Sequence, residues 1–231
     1  MSLHLTDVDV VVFDVLGTLV DEPAGLRSSL SAAVPTAGDA TLHALTERWQ
    51  RYIAEQQTEI ADGRRTYVDS DVLDAEAAEL ALRRATEAGI PTDHTAARRL
   101  ASASQRLPTW PDSVVELQRI SDRVPVLALS NASSTTLFHL AATTGLRWHA
   151  AVTSDASRAY KPDPALYRRA VEVADRPAER VLMVAAHAWD LRAAQMAGMR
   201  TCYVERPVGD PPAPADHFDA KVTGLAGLFS V

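Results

Sequence analysis

The stretch VDVVVFDVLGTLVDE, residues 8–22, decides the fold class that we predict for this chain. Its apolar run ends in one carboxylate, Asp14, as is typical of a parallel strand buried on both faces. Parallel sheets bind ligands outside the carboxyl ends of their strands, so we expect Asp14 to face a polar crevice. Gly17 permits a tight turn, and Thr18 offers a hydroxyl to hold the acid or a ligand. A plain turn cap is the alternative role for Asp14.

Short apolar runs and helical patterns alternate along most of the remaining chain. Further strands are predicted over 124–130, 149–153, 180–185 and 201–204, with a short last strand near 218–222. Helices are predicted over 111–121, 133–144, 163–174 and 188–198, and Gly145 and Gly198 stand where helices end. This alternation predicts an α/β fold with a doubly wound, parallel, Rossmann-like sheet.

Residues 21–106 interrupt the alternation with sequence that is almost entirely helix-compatible, such as LHALTERWQRYIAEQQTEI. This segment separates the first strand from the rest of the sheet. We therefore interpret it as an inserted helical cap domain, and residues 1–20 and 107–231 as the α/β core domain.

Composition excludes several classes of function. The formal net charge of -7 offers no basic face for nucleic acid. No apolar run reaches membrane-spanning length, so no membrane partner is expected. A single cysteine, Cys202, fits a reducing compartment, and the first residues lack the pattern of a signal peptide. We expect a cytoplasmic protein.

Polar residues recur at the ends of the other predicted strands. Ser130 and Asn131 end one strand, Lys161 precedes a helix that begins with proline, and His187 and Asp190 follow a third strand. Each has an ordinary structural explanation as a helix cap, a surface lysine or a first-turn acid. Their shared position at strand ends predicts one crevice that holds two acids, an ammonium and a hydroxyl.

The segments FDVLGTLVD, LSN, YKPDPALY and VAAHAWDLRAAQMAGM resemble the haloacid dehalogenase superfamily, and most of all its type II (L-2-haloacid) dehalogenases. The phosphatases of that superfamily carry a second acid where this chain has Leu16, and another where it has Ala186. A departing halide needs no proton, so an acid at position 16 is unnecessary for dehalogenation. The type II subgroup usually reads Ser-Ser-Asn-Ala-Trp-Asp where this chain has Ala185, Ala186 and His187 before Ala-Trp-Asp.

The resemblance implies a role for each site residue. Asp14 would be the nucleophile, and Lys161 would keep it ionised, with Thr18 and Tyr167 holding the two in place. Asp190 would orient or deprotonate the hydrolytic water. Substrate contacts are expected from the residues Ser130 and Asn131, which would receive the substrate carboxylate, and from Leu16 and His187; His187 could also assist as a base or be a structural substitution.

The resemblance also implies a halide-binding arginine in an early cap helix. The segment TERWQRYIAEQ offers Arg51 and Arg48, and Arg51 is favoured because Tyr52 follows it. An exposed helix arginine explains either equally well. Two other sets of residues have ordinary explanations: tryptophans that could wall a pocket or simply fill the core (Trp49, Trp110, Trp189), and histidines without ligand spacing (His4, His43, His94, His139, His149, His217).

Three functions are open from the sequence. The leading hypothesis is metal-independent hydrolytic dehalogenation of short 2-haloacids through an aspartyl ester, which gives 2-hydroxyacids. It requires no cofactor and no metal, and its partners are the small-molecule substrate and halide; the resemblance suggests a homodimer. The alternatives are a Mg²⁺-dependent phosphatase or other hydrolase of the same fold, and a non-catalytic binding protein.

Overall fold

The computed structural model describes residues 7–92 and 95–229, so His4 and His94 lie outside the described residues. One parallel sheet of six strands, in the order β3-β2-β1-β4-β5-β6, forms the described core. The strands are β1 (Val10–Phe13), β2 (Val126–Ser130), β3 (Ala150–Thr153), β4 (Val181–Ala185), β5 (Arg200–Val204) and β6 (Ala220–Val222). The order reverses between β1 and β4, which opens a crevice beyond the carboxyl end of β1.

The residues of β1 alternate between two apolar clusters, one on each face of the sheet. Val11 and Phe13 belong to one cluster, whereas Val10 and Val12 belong to the other. All four are buried. The prediction of a strand covered on both faces, and with it the doubly wound α/β fold, is confirmed.

Nine helices accompany the sheet within the described residues. Five of them lie between β1 and β2, four of these within 21–106, and no strand occurs in the described part of that segment. The helices predicted in the core are confirmed to within two residues at each end. The helices are α1 (Glu22–Ala33), α2 (Asp39–Ala61), α3 (Ser70–Glu87), α4 (Ala96–Ala101), α5 (Ser113–Ser121), α6 (Ser134–Thr144), α7 (Ser154–Ser157), α8 (Pro164–Ala174) and α9 (Ala188–Met196).

Local capping fixes where the helices beside the crevice begin and end. Ser133 caps α6 by accepting a hydrogen bond from the N–H of Thr136, and Gly145 ends that helix with a φ of 82°. Asp163, two residues after Lys161, caps α8 by accepting from the N–H of Ala165. These caps hold the ends of β2 and the Lys161 segment in fixed positions.

Hydrogen bonds join the inserted helices to the core beside the crevice. The Ser133 hydroxyl donates to Asp71 at the start of α3 (2.7 Å), and the Tyr160 hydroxyl donates to the carbonyl of Val68 (2.8 Å). The two connections between the insert and the core run side by side, with an antiparallel bridge between Val20 and Thr109. Across the described ranges, no helix has the length and apolarity needed to cross a membrane.

Candidate active site

Asp14 lies directly after β1, where its backbone N–H donates to the carbonyl of Val184 on β4 (3.1 Å). The residue is only 4% exposed. The Thr18 hydroxyl donates to Asp14 Oδ2 at 2.6 Å, and the same hydroxyl oxygen accepts from the N–H of Ala186 at 2.9 Å. Thr18 therefore ties the nucleophile candidate to the end of β4.

Lys161 bridges the two buried acids of the crevice. Its Nζ donates to Asp14 Oδ1 at 2.7 Å and to Asp190 Oδ2 at 2.5 Å. The side chains of all three residues are almost fully buried. Lys161 also lies beside the ring of Trp189, with Nζ 5.6 Å from the ring centroid. The segments that follow three strands, β1, β3 and β4, thus bring an ammonium and two carboxylates into contact, as the sequence predicts for one crevice.

The ionisation of Asp14 follows from this contact. Burial opposes the charge on Asp14, but the positive charge of Lys161 and the hydrogen bond from His187 outweigh it, so the pKa of Asp14 lies well below its usual range. Burial would lower the pKa of Lys161, but the charges of Asp14 and Asp190 outweigh that effect and raise it. At neutral pH the site therefore holds an aspartate anion against an ammonium.

Both carboxylate oxygens of Asp190 are already engaged. Oδ2 accepts from Lys161, and Oδ1 accepts from the Tyr167 hydroxyl at 2.5 Å. Asp190 has no exposed surface. Burial raises the pKa of Asp190, and the negative charge of Asp14 adds to that effect, while Lys161 opposes it. This geometry fits a residue that positions Lys161 better than one that reaches a water molecule.

His187 is the partly open member of the cluster. Its Nδ1 lies 3.1 Å from Asp14 Oδ2, and its side chain is 19% exposed. Burial lowers the pKa of His187, but the hydrogen bond and negative charge of Asp14 outweigh burial and raise it. Gly17 makes room for the ring, since a Cβ at Gly17 would lie 2.7 Å from His187 Cε1. The ring of Trp189 lies 5.8 Å from that of His187 and walls the same side.

Two backbone N–H groups follow Asp14 directly along the chain. Within the part of the chain that the structure describes, the N–H groups of Val15 and Leu16 donate to no protein acceptor. Val15 is fully buried, and Leu16 is half-buried against the apolar core. Buried N–H groups are nearly always hydrogen-bonded, so these two are suited to an anion that forms beside Asp14.

Ser130 and Asn131 lie at the end of β2 as the sequence predicts. The Ser130 oxygen accepts from the N–H of Ala132 (3.1 Å), and Ser130 has no exposed surface. Asn131 accepts from the backbone N–H of Lys161 at 2.6 Å and donates to Gln57 of α2 at 3.0 Å. Asn131 therefore fixes the Lys161 segment and contacts the inserted helices.

The structure brings neither candidate arginine to the cluster. Arg48 lies 3.9 Å from Glu55 on the surface, and Arg51 is exposed. The face of α2 that points to the crevice instead carries Gln50 and Gln57, one heptad apart. The helical pattern alone did not fix which residues of α2 face inward.

Three residues near the site were missed by the sequence analysis. Gln50 donates to Glu22 at 3.1 Å, and burial raises the pKa of Glu22, on which the charges of His187 and Asp14 also act. The third is Gln57. The signals that could have revealed them are the acid that ends the opening stretch and begins α1, and the seven-residue spacing of the two glutamines.

The three tryptophans considered as possible pocket walls have different surroundings. Trp49 is buried inside the insert, where its indole N–H donates to Asp74 at 3.3 Å. Trp110 donates to the carbonyl of Gly17 at 3.0 Å and supports the turn after Asp14. Only Trp189 contacts the charged cluster.

The donor set does not fit the Mg²⁺ ion that phosphatases of this superfamily use. Mg²⁺ requires six oxygen ligands in nearly ideal octahedral geometry. The oxygens of Asp14 and Asp190 are taken by Lys161 and hydroxyl groups, and positions 16 and 186 carry no carboxylate. In the described ranges, no group of three or more His, Cys, Asp or Glu side chains is arranged to hold a metal.

Comparison with known proteins agrees with this geometry. Residues 8–198 match the family model of the haloacid dehalogenase-like hydrolases. The chain therefore belongs to the haloacid dehalogenase-like hydrolase family.

The similar proteins point to one branch of that family. The chain is 26% identical over 223 residues to an (S)-2-haloacid dehalogenase of Pseudomonas putida, covering 95% of this chain and 92% of the relative. It is 29% identical over 233 residues to (S)-2-haloacid dehalogenase 4A of Burkholderia cepacia, covering 94% and 92%. The crystal structure of a defluorinating L-2-haloacid dehalogenase superimposes with a TM-score of 0.86 and 30% identity, covering 100% and 98%.

Proposed function

We propose that this chain hydrolyses the carbon–halogen bond of short (S)-2-haloacids through an ester on Asp14, without a metal. One observation carries the proposal: a buried Asp14 carboxylate is kept ionised by an ammonium at 2.7 Å, and position 16 holds no acid to protonate a leaving group. Halide leaves without a proton. The names of the relatives support the same substrate class.

In the first step, an oxygen of Asp14 attacks C2 of the haloacid opposite the halogen. The O–C2 bond forms, the C2–halogen bond breaks, and the halide leaves with the bonding electrons. Lys161 and Thr18 hold the carboxylate in place for this attack. The Val15 and Leu16 N–H groups are placed to stabilise the anionic tetrahedral intermediate of the second step.

In the second step, water attacks the ester carbonyl carbon of Asp14, and His187 accepts its proton. The intermediate then expels the 2-hydroxyacid alkoxide, which takes that proton back from His187. Asp14 is left as a carboxylic acid, and it releases the second proton of the water to solvent, which restores the carboxylate. C2 is inverted once. We assign the base to His187 because it is partly exposed beside Asp14, whereas both oxygens of Asp190 are bonded inside the protein.

Formation of the ester itself prepares His187 for this role. The negative charge of Asp14 raises the pKa of His187, while burial and Lys161 lower it. Once Asp14 is an ester, its charge is gone, and burial and Lys161 lower the pKa of His187 against only the smaller raising effect of the Asp190 charge. His187 then loses its proton more readily and becomes a neutral base.

Halide release from L- and D-2-chloropropionate in the presence of EDTA tests the proposal. We expect the wild type to release chloride from the L enantiomer and Asp14→Asn to release none. Mass spectrometry of the peptide that contains Asp14 should detect a transient ester. Phosphate release that requires Mg²⁺, with no halide from any short 2-haloacid, would support a phosphatase instead. Binding without turnover, unchanged by Asp14→Asn, would indicate a binding protein.

His187→Gln separates the two steps. Glutamine keeps a donor near Asp14 but cannot accept a proton at neutral pH, so the first turnover should release halide normally while ester hydrolysis slows by about 10²–10⁴-fold. The ester should accumulate on Asp14 in rapid-quench samples. Asp190→Asn is the comparison, since loss of the Lys161 contact should slow ester formation itself. Wild-type steady-state turnover by His187→Gln would refute the assignment of the base.

We also propose three features of organisation. Residues 21–106 act as a cap over a core of residues 1–20 and 107–231, because the insert contacts the strand ends through Asp71 and Gln57. A cytoplasmic location fits the single cysteine, whose thiol is buried and has a pKa raised to about 12. A homodimer follows from the resemblance to the type II enzymes, and light scattering on the purified chain tests it.

A further inference from the structure

A cavity lies on the inserted helices, away from the charged cluster. Its volume is about 760 Å³, and it opens between α1 and the segment from Thr95 to Pro108. The residues that matter for its chemistry are Ser28, Ser29, Arg98, Arg99, Ser102 and Arg106. None of the site residues beside Asp14 lines it.

The described lining of this cavity is positively charged in a chain whose net charge is -7. Among the described residues it contains arginines and hydroxyls but no carboxylate. Other surface arginines, such as Arg64 and Arg192, contact a carboxylate within 3 Å. Within residues 7–92 and 95–229, Arg98 and Arg106 contact none.

One of these guanidinium groups is held in position by neutral partners. Arg106 Nη1 donates to the Ser102 hydroxyl and Nη2 to the carbonyl of Arg99, both at 2.9 Å. On the opposite wall, the hydroxyls of Ser28 and Ser29 donate to no acceptor among the described residues. A fixed arginine with open hydroxyls across from it is a donor arrangement that matches an oxyanion.

The cavity lies next to both connections between the insert and the core. Gly25 of α1 packs closely on Leu107 and Pro108, where a Cβ would come within 2.8 Å of a Pro108 carbon. The backbone N–H of Asp21 donates to the carbonyl of Pro108 at 2.8 Å. A ligand that joins α1 to the Arg98–Arg106 segment would therefore stabilise the region where the chain enters and leaves the insert.

We propose that this cavity binds a multivalent phosphoryl anion through Arg98 and Arg106, independently of the site beside Asp14. The volume falls within the range of small-molecule sites and exceeds the needs of a single small ion. Inorganic pyrophosphate and a nucleoside diphosphate share this chemistry, the first as a free anion and the second as an esterified one.

Calorimetric titration of the full chain tests the site, with inorganic pyrophosphate and adenosine diphosphate in separate arms, EDTA present and ionic strength held constant. We expect saturable binding near one site per chain in at least one arm, and a higher unfolding temperature with that ligand. The double variant Arg98→Gln/Arg106→Gln loses two charge-assisted donors, so its affinity should fall by about tenfold or more. The affinities of the single variants Arg98→Gln and Arg106→Gln should lie between those of the wild type and the double variant. The single variants provide the test if the double variant does not fold.

The matched control is Arg147→Gln/Arg168→Gln, which removes two exposed arginines elsewhere and should bind like the wild type. No saturable binding in either arm overturns the proposal. Binding that survives Arg98→Gln/Arg106→Gln, or that is lost equally in the control, also overturns it. This experiment measures binding alone, whereas the proposed dehalogenation is measured by halide release from the same proteins. Failure of one proposal can therefore be distinguished from failure of the other.

Discussion

Asp74 lies inside the helical insert with little contact with water, and it provides a quantitative test of the structure. It is 7% exposed, and it accepts from the indole N–H of Trp49. Burial raises the pKa of Asp74 to about 7, the charges of Glu22 and Asp71 add to that effect, and hydrogen bonds from Ser104 and Trp49 oppose it. We predict that Asp74→Asn makes the protein more stable above neutral pH.

The magnitude follows from proton linkage. The folded protein holds the proton on Asp74 up to about pH 7, whereas the unfolded chain releases it near the ordinary pKa of 3.8. The unfolded state thus binds fewer protons in this window, so the free energy of unfolding falls as pH rises through it. A difference of about three pKa units corresponds to about 4 kcal/mol at pH 8, of which about 2 to 3 kcal/mol develops between pH 5 and pH 8.

Urea unfolding of the wild type and Asp74→Asn near pH 5 and near pH 8 measures this difference directly. Asparagine still accepts from Trp49, so the variant should gain on the wild type by about 2 to 3 kcal/mol between the two conditions. Asp175→Asn is the control, because that carboxylate is 98% exposed and its removal should give no such trend. A stability difference that stays constant with pH, or that favours the wild type near pH 8, would refute the reasoning.

Two further substitutions test the crevice and its supports. Lys161→Met leaves the carboxylates of Asp14 and Asp190 buried without a cation. It should therefore lower the free energy of unfolding by about 3–5 kcal/mol in urea titrations and abolish halide release. A variant as stable as the wild type would contradict the buried contact of Lys161 with the two carboxylates. Ser133→Ala removes both the cap of α6 and the contact with Asp71, and it should lower stability by about 1–2 kcal/mol, measured as a shift in the urea midpoint against the exposed-site control Thr135→Ala.

The sheet was predictable because each strand carries its own signal. Runs such as 180–185 are apolar on both faces, and the flanking glycines and prolines mark where helices begin and end. The structure confirms each predicted strand, with boundaries that differ by a residue or two. The order of the strands depends on contacts far apart in the sequence. The carboxyl ends of parallel strands nevertheless lie at one edge of the sheet, and this was enough to place Asp14, Lys161 and Asp190 together.

The sequence predicts which residues lie in the crevice better than it predicts the contacts among them. Nothing in the spacing of Asp190 indicates that Tyr167 and Lys161 take up both of its oxygens, since that depends on side-chain geometry across three elements. The same holds for α2, where a rotation of the helix by one residue decides whether Gln50 or Arg51 faces inward. Packing against Glu22, far away along the chain, makes that choice.

The ring of His187 occupies the space that a side chain at position 17 would need, so the residues allowed at the two positions depend on each other. Gly17 has a φ of +79°, and a methyl group there would collide with the imidazole ring. A mutational scan of position 17 should therefore find almost no tolerated residue. Replacing the imidazole by a smaller side chain would lift the collision but leave the left-handed backbone. Anyone who transplants this histidine into a related enzyme must confirm that the recipient already has a glycine at the matching turn.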